Sequence, residues 1–328
     1  MVFRVSDDTL ACFIDACPHR FAPLSAGRIE NDCIRCPYHG SLYDIDGTCV
    51  EVPGQHGAHG MQIGHVRYLL IERFGYIWVW MGDKDRADDG RSIPSWFESA
   101  KPQHNSWTGR ADRFLSMPVY YELINDNLHD VSHVEFVHPE TLGTTVIPQM
   151  YRMRDSEFTD QCNVPKEFGE REMRLDFHAQ DIQGGPVLHQ MIAYQRRRNE
   201  WTDNVVWDLT LRYATPSQFL FNHRTKAVGE NDSAAIQIAS LHTITPETDA
   251  GSHYFFHTAH NLTDTCADAL LFAFNQDKTL IAEQMKRAPR GGRGSDALAQ
   301  VSFLGDTTPM LGRRMIRNLI AAEQESAS

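Results

Sequence analysis

The sequence lacks any apolar run near the ~18 residues that a membrane-spanning helix needs. Its longest apolar stretches, such as "GYIWVW" at 75–80, have the length of a strand. Basic charge is scarce: 31 Lys and Arg against 43 Asp and Glu leave a net charge of -12. Nucleic acid and anionic membrane both require a basic surface, so the balance argues against either as a partner. The opening "MVFRVSDDTLACFID" has no basic stretch followed by a long apolar one, so it does not read as a signal peptide. There is no nicotinamide or flavin fingerprint, no internal repeat and no low-complexity segment. Seven cysteines are an odd count for a disulfide framework. In a chain expected to be cytoplasmic they point to metal ligation or free thiols. What is present is an ordinary globular composition, 41% hydrophobic and 23% charged, over 328 residues, enough for two domains with separate cores.

The densest chemistry lies in "CPHRFAPLSAGRIENDCIRCPYHG", residues 17–40. It holds two matched pairs, Cys17-x-His19 and Cys36-x-x-His39, with sixteen residues between them. Two Cys and two His also form a structural zinc set, but zinc fingers and ribbons group like with like. Here each arm carries one of each. That suits a Rieske [2Fe–2S] cluster, in which two thiolates hold one iron and two imidazoles the other. Pro18 and Pro37 stiffen the loops after each cysteine. Gly40 would allow close approach of backbone to a buried sulfide. Cys33, on the strand leading into the second loop, and Cys12 read as buried spectators.

This stretch resembles the N-terminal domain of Rieske non-haem iron oxygenases. The surrounding pattern is similar to the same small β domain: "TLACFIDA" and "DCIRCP" as strands entering the loops, "SLYDIDGTCVEVPG" turning at Asp46-Gly47, and "YLLIERFGYIWVWMGD" as a closing hairpin. Members of the family usually begin a few dozen residues earlier, so the N-terminal part of this domain is expected to be missing. Residues 82–105 are charged, contain Gly and Pro, and lack periodicity, as a linker does. The expected division is a Rieske domain over 1–95 and a catalytic domain over 96–328.

A second cluster follows in "YELINDNLHDVSHVEFVH", residues 121–138. Asn127, Asp130 and His133 at i, i+3 and i+6 fall on one side of a helix. His138 comes five residues after His133, a spacing that needs a local widening or a helix that ends between them. Pro139 favours the ending. His129 is an equally good ligand by composition, and a polar helix face in solvent is the alternative. The order of residues in "DNLHDVSHVEFVHPETLG" resembles the mononuclear-iron motif of the same family, closest to the branch of vanillate O-demethylase and dicamba monooxygenase. The match covers Asn127, Asp130, His133 and His138, with His129 at the variable position.

A facial triad of two His and one carboxylate needs its acid from elsewhere. In "ADALLFAFNQDKTLIAEQMK" the apolar Ala273, Phe274, Leu280 and Ile281 flank Asp277 on one helical stripe, placing a carboxylate on a buried face. That is costly unless it pairs with Lys or Arg or binds a metal. Asp277-Lys278 resembles the C-terminal ligand pair of the family, with Glu283 next in line. By the same resemblance the protein is a homotrimer. The cluster of one subunit then serves the iron of the next, and Asp130 bridges His39 of the neighbour to its own His133.

From 105 to 260 the chain alternates as antiparallel strands between helices at about 121–135 and 265–288. The final "TPMLGRRMIRNLIAAEQ" has a helical period and should pack outside. The expected fold class is α+β: an all-β Rieske domain, then a helix-grip (START-like) domain with a curved antiparallel sheet and a long C-terminal helix. "LHTITPETDAGSHYFFHTAHN" also resembles the family, and His242 just before it either lines the substrate pocket or is a plain sheet histidine. The resemblance implies a terminal oxygenase component that uses O2, a [2Fe–2S] Rieske cluster and mononuclear Fe(II). Electrons would come from NAD(P)H through a separate flavin or ferredoxin-type reductase. The expected chemistry is O-demethylation of a methoxylated aromatic acid. A methyl- or ring-hydroxylating monooxygenase and an N-demethylase are the alternatives, and a Rieske carrier fused to a ligand-binding module is an alternative of another class.

Overall fold

A computed structural model of the chain describes residues 1–55, 61–62, 67–91, 93–94, 109–130, 132–139, 141, 149–152, 172–182, 185–195, 205–214, 216–227, 231, 233, 235–261, 266–287 and 306–327. It forms two compact units, Met1–Ile93 and Pro94–Ser328. Of the expected linker, residues 92 and 95–105 lie outside the described residues.

The first unit is all β. Strands β1 (Val2–Arg4) and β2 (Leu10–Cys12) pair antiparallel. β3 (Arg28–Glu30), β4 (Cys33–Arg35), β5 (Leu42–Tyr43), β6 (Thr48–Glu51) and β7 (Met61–Gln62) make a second antiparallel sheet in chain order. β8 (Leu70–Arg73) and β9 (Tyr76–Val79) form a hairpin. Its turn, Phe74-Gly75, has φ of 58° and 82°, the left-handed pair that matches the twist of hairpin strands. At the Asp46-Gly47 turn the Asp44 carboxylate accepts from the Asp46 and Thr48 amides, at 3.0 and 2.8 Å. The core gathers Phe3, Phe13, Leu24, Ile34 and Tyr43 around the thiols of Cys17, Cys36 and Cys49. Cys12 is buried as expected, but Cys33 is only half-buried: it flanks the turn at Asn31 and Asp32, where the chain comes out to solvent.

In the second unit β10 (Gly109–Met117) leads into helix α1 (Tyr121–His129) and the single turn α2 (Val134–Val137). Then follow β11 (Gln149–Arg152), β12 (Glu172–Ile182), β13 (Gly185–Gln195), β14 (Val205–Ala214), β15 (Gln218–Ala227), β16 (Ile236–Thr248) and β17 (Gly251–His260). Helices α3 (Cys266–Arg287) and α4 (Thr307–Ala327) complete the unit. The sheet runs β10-β17-β16-β15-β14-β13-β12-β11. All its neighbours are antiparallel except β11 and β12, a parallel pair at one edge. Tyr213, Phe219 and Phe256 are buried in register across β14, β15 and β17. Phe274 of α3 packs edge-on against Phe256 at 4.8 Å, which fixes α3 across this face of the sheet. Among the described residues no helix is long and apolar enough to cross a membrane.

The expected stripe on α3 needs one correction. Ala273, Phe274 and Ile281 are buried, but Leu280 is 49% exposed. It lies on the flank of the helix, and the buried face is narrower than the spacing suggested.

Candidate metal centres

The two loops of the first motif are built alike. The Cys17 amide donates to Ala22 O at 2.8 Å, and the Cys36 amide to Ser41 O at 2.9 Å, each five residues on. The Phe21 amide donates back to Cys17 O at 2.7 Å, and the Gly40 amide back to Cys36 O at 3.2 Å, each from four residues on. Phe21 and Gly40 therefore occupy the same position, and both are left-handed, with φ of 58° and 75°. The glycine serves this turn, and a Cβ there would also meet Pro53 Cγ at 3.0 Å. Side chains anchor both loops: Asp15 accepts from the Ser25 amide at 2.7 Å, and Arg35 donates to Gly40 O at 2.6 Å while held by Glu30 and Glu51.

Cys17 and Cys36 are each 2% exposed, while His19 and His39 are exposed with ring centroids 4.5 Å apart. A tetrahedral zinc would draw all its donors to within roughly 3.5–4 Å of one another, given bonds of about 2.0–2.3 Å. Among the described residues only His133, His138 and Asp277 bring three such donor atoms within 4.8 Å. The four donors of the first motif are more spread, as a cluster with two irons requires. The residues fit a Rieske cluster, with buried thiolates and imidazoles at the surface.

The second site closes across 139 residues of sequence. His138 Nε2 lies 3.1 and 3.2 Å from the two oxygens of Asp277, and His133 Nε2 lies 3.5 Å from Oδ1. Asn127 Nδ2 donates to Asp277 Oδ1 at 3.2 Å and stands 3.3 Å from His133 Nε2. Asp277 and His138 are buried and His133 is partly so. Asp277 is paired with none of the Lys or Arg residues described, and Glu283 is exposed and paired with Lys286 and Arg287. The donor set, two imidazoles and a carboxylate around one point, suits non-haem Fe(II).

Asn127, Asp130 and His133 do not share one helix, contrary to the sequence expectation. Helix α1 stops at His129 because Asp130 is extended, with φ -104° and ψ 106°. The Asp130 carboxylate turns back to accept from the Ser132 amide at 2.8 Å, a local bond that competes with helix. His133 then opens α2, and His138 closes it at φ -120°, ahead of Pro139. Because His138 has left the helix, two histidines five residues apart are not bound to helical spacing and can converge. His133 Nδ1 contacts the main-chain carbonyl of Asp130, not its carboxylate. A carbonyl only accepts, so Nδ1 carries the proton and Nε2 keeps its lone pair for a metal.

His138 differs. Its Nδ1 faces Gln276 Oε1 at 2.9 Å and its Nε2 faces Asp277. Burial, the largest influence, pulls its pKa down, but the hydrogen bond and charge of Asp277 with the Gln276 bond outweigh it and the net shift is upward. Gln276 had no signal in the sequence beyond its position beside Asp277.

His129, left out of the ligand set, is buried away from it. Its Nδ1 donates to Asn125 O at 2.8 Å and its ring lies edge-on to Tyr213 and Phe219. Burial pushes its pKa down to about 3. His242 takes the face of the sheet that meets α3: its ring is 5.4 Å from Phe274, edge-on, and 5.0 Å from Phe221. Its Nδ1 pairs with the Tyr254 hydroxyl at 2.6 Å, and burial, aided by His223, pushes its pKa down to about 3.

Comparison with known proteins agrees with both centres. The Rieske [2Fe-2S] domain profile matches residues 1–67, and the vanillate O-demethylase oxygenase C-terminal domain profile matches residues 117–322. A putative toluene-4-sulfonate monooxygenase system iron-sulfur subunit of Comamonas testosteroni is 31% identical, over 87% of this chain and 80% of that protein. The oxygenase component of dicamba O-demethylase from Stenotrophomonas maltophilia is 30% identical, over 79% of this chain and 70% of that protein. The crystal structure of dicamba monooxygenase bound to dicamba superposes with a TM-score of 0.74 at 23% identity, covering 100% of this chain and 90% of the other.

Proposed function

This chain belongs to the Rieske oxygenase components of the vanillate O-demethylase family, and we propose that it removes the methyl group of a methoxylated aromatic acid. As an oxygenase component of a multicomponent system it is an oxidoreductase that works with a separate reductase. In the proposed reaction the methyl carbon is hydroxylated and the hemiacetal collapses to a phenol and formaldehyde. O2, two electrons and two protons are consumed, and the second oxygen atom leaves as water.

Cys17, His19, Cys36 and His39 hold the [2Fe–2S] cluster, and His133, His138 and Asp277 hold Fe(II). When bound, the two centres supply single-electron delivery and O2 activation. The chain's own residues do the rest. Asn127 fixes Asp277 by its amide donor. His242, kept neutral, has Nε2 left to meet an oxygen of the acidic substrate, a hydrogen bond strengthened in a buried aromatic setting. Asp130 Oδ2 accepts nothing among the described residues, which leaves it for His39 of a neighbour in a homotrimer.

The observation that carries this reading is the convergence of His133, His138 and Asp277. The test is iron content with NADH-dependent formaldehyde release, measured with a reductase on a panel of methoxybenzoates. Three iron atoms per chain are expected, and two in Asp277→Ala with the Rieske spectrum kept. Two in the unaltered protein would make it an electron carrier joined to a ligand-binding module. The likeness to a toluene-4-sulfonate monooxygenase subunit supports a second reading, hydroxylation of an aryl methyl group. A benzylic alcohol formed from a methylarenesulfonate, with no formaldehyde from any methoxybenzoate, selects it.

A further inference from the structure

We propose that Ser240 is a specificity-determining residue of the substrate pocket, donating its hydroxyl to the acid group of the substrate beside His242. The inference deepens the proposed function and rests on its reading of the substrate as an aromatic acid. Ser240 is 2% exposed, and its Oγ has no hydrogen-bond partner among the described residues. Its register partners are Phe221 on β15 and Thr258 on β17. A hydroxyl stripped of water and left unpaired is costly, and the large majority of buried polar side-chain atoms have a partner. The missing partner of Ser240 is assigned to the molecule that binds on this side of the sheet.

That side is the one on which α3 lies. Residues two apart in a strand point the same way, about 6.5 Å from each other, so Ser240 shares the side of His242. There His242 meets Phe274, three residues before Asp277 on α3. The His242 ring also leans toward the row of Ser240. Its own register partner on β15 is Phe219, but the ring packs edge-on against Phe221, the partner of Ser240, at 5.0 Å. Nδ1 is engaged by the hydroxyl of Tyr254, which pairs with Ile244 in the row on the other side of His242. Nε2 is the nitrogen left over for a ligand.

With Tyr254 donating to Nδ1, the proton of the neutral ring sits on Nε2, which then donates. Ser240 supplies a second donor beside it. A carboxylate presents two acceptor oxygens and a sulfonate three, and both are ionised at neutral pH, so a pair of neutral donors suits either. Hydrogen bonds to an ionised acceptor are the strong ones, and an aromatic interior strengthens them further. A neutral aryl ether or methylarene has no acid oxygen to offer. It would leave Ser240 as unpaired as before, and the site discriminates against it for that reason. No bond is made or broken by Ser240, which acts on binding alone.

The experiment compares Ser240→Ala with the unaltered protein, both carrying cluster and iron and kept free of O2. Binding of 3-methoxybenzoate and of toluene-4-sulfonate is measured by calorimetry, and the melting point is measured without ligand. Ser240→Ala should bind whichever acid the unaltered protein takes at least roughly tenfold more weakly, the size of a hydrogen bond to a charged group. Its melting point without ligand should rise by about 2–4 °C, because an unpaired buried hydroxyl is gone. Equal acid affinity in the two proteins overturns the proposal. A lower melting point overturns it too, since the hydroxyl would then have a partner within the fold. If the unaltered protein binds neither acid, the reading of the substrate as an aromatic acid fails and the proposal with it, whereas equal affinity leaves that reading intact.

Discussion

The metal-free second site should hold a proton that iron must expel. Both ring nitrogens of His138 face oxygens, Gln276 Oε1 at 2.9 Å and the Asp277 carboxylate at 3.1–3.2 Å. The imidazolium, a donor at both ends, is the state that satisfies both, which agrees with its raised pKa. A metal needs the Nε2 lone pair, so binding competes with that proton. Below the folded pKa of His138, affinity should rise tenfold for each pH unit, about 1.36 kcal/mol, and level off above it. The stability linkage has the opposite sign. The His138–Asp277 pair stabilises the metal-free fold fully below the ordinary imidazole pKa of 6.5, and that contribution fades as pH climbs through the raised value. The assay is calorimetric titration with Co(II), a redox-stable probe, of protein stripped of mononuclear iron but retaining its cluster. Repeating it in two buffers of different ionisation heat counts the protons released. Close to one proton per metal is expected on the acidic side. Gln276→Leu removes the acceptor at Nδ1, and should lower both the proton count at neutral pH and, by about 10–100-fold, the metal affinity. Affinity independent of pH between about 6 and 8, with no proton released, would refute the reasoning.

Three further outcomes are expected. Asp130→Asn keeps an oxygen for the Ser132 amide but loses the charge. Both metal centres should remain while cluster reoxidation in a single turnover slows at least about tenfold, and an unaltered rate would leave Asp130 as a capping residue only. Gly312→Ala places a Cβ 2.7 Å from Cε1 of the buried His129. Overpacking of about 1–3 kcal/mol exceeds the gain of about 1 kcal/mol in helix propensity, so the melting point should fall by a few degrees, and a rise would show that the α1–α4 contact yields. Arg313 donates Nε to Asp126 Oδ1 at 2.7 Å and Nη2 to Oδ2, with both side chains largely buried. Arg313→Leu should cost about 3–5 kcal/mol by leaving Asp126 uncompensated, read from denaturant midpoints, and an unshifted midpoint would contradict a buried pair.

The proposed ligands stood out in the sequence because their chemistry constrains spacing. Cys17-x-His19 and Cys36-x-x-His39 are local, and each loop closes on itself through the same two backbone hydrogen bonds. Asp277 was legible as a carboxylate set among buried Ala273, Phe274 and Ile281. The strands of the large sheet were legible by alternation, apart from the parallel edge between β11 and β12, which depends on long-range pairing. The helix break at Asp130 was not legible. Asn127, Asp130 and His133 have good helical spacing, and only the competing bond from Asp130 to the Ser132 amide ends the helix. The face of His242 was also open, because Leu241 and Thr243 beside it are buried too, so burial on both sides of β16 erases the alternation that would have placed it.

The two centres differ in how much of each the fold must supply. In the first, a local sequence makes both loops, and the distant contribution is the Tyr43 hydroxyl, 3.3 Å from Cys17 Sγ. In the second, no two adjacent turns suffice. His133 and His138 sit at the two ends of α2, which the break after α1 sets apart from Asn127, and Asp277 needs α3 laid over the sheet by Phe274 and Phe256. The Asn127 amide spans this gap, donating to Asp277 while facing Nε2 of His133. Once a metal takes that nitrogen's lone pair, Asn127 retains only the carboxylate as acceptor. It would then hold Asp277 Oδ1 in a hydrogen bond and favour ligation through Oδ2, the oxygen that lies 3.2 Å from His138 Nε2. Ligation through one oxygen would occupy fewer positions of the metal than ligation through two, leaving room for O2 and substrate. The amide is thus a positioning group for the acid, and its neighbour Asp126, clamped by Arg313 of α4, fixes the helix that carries it.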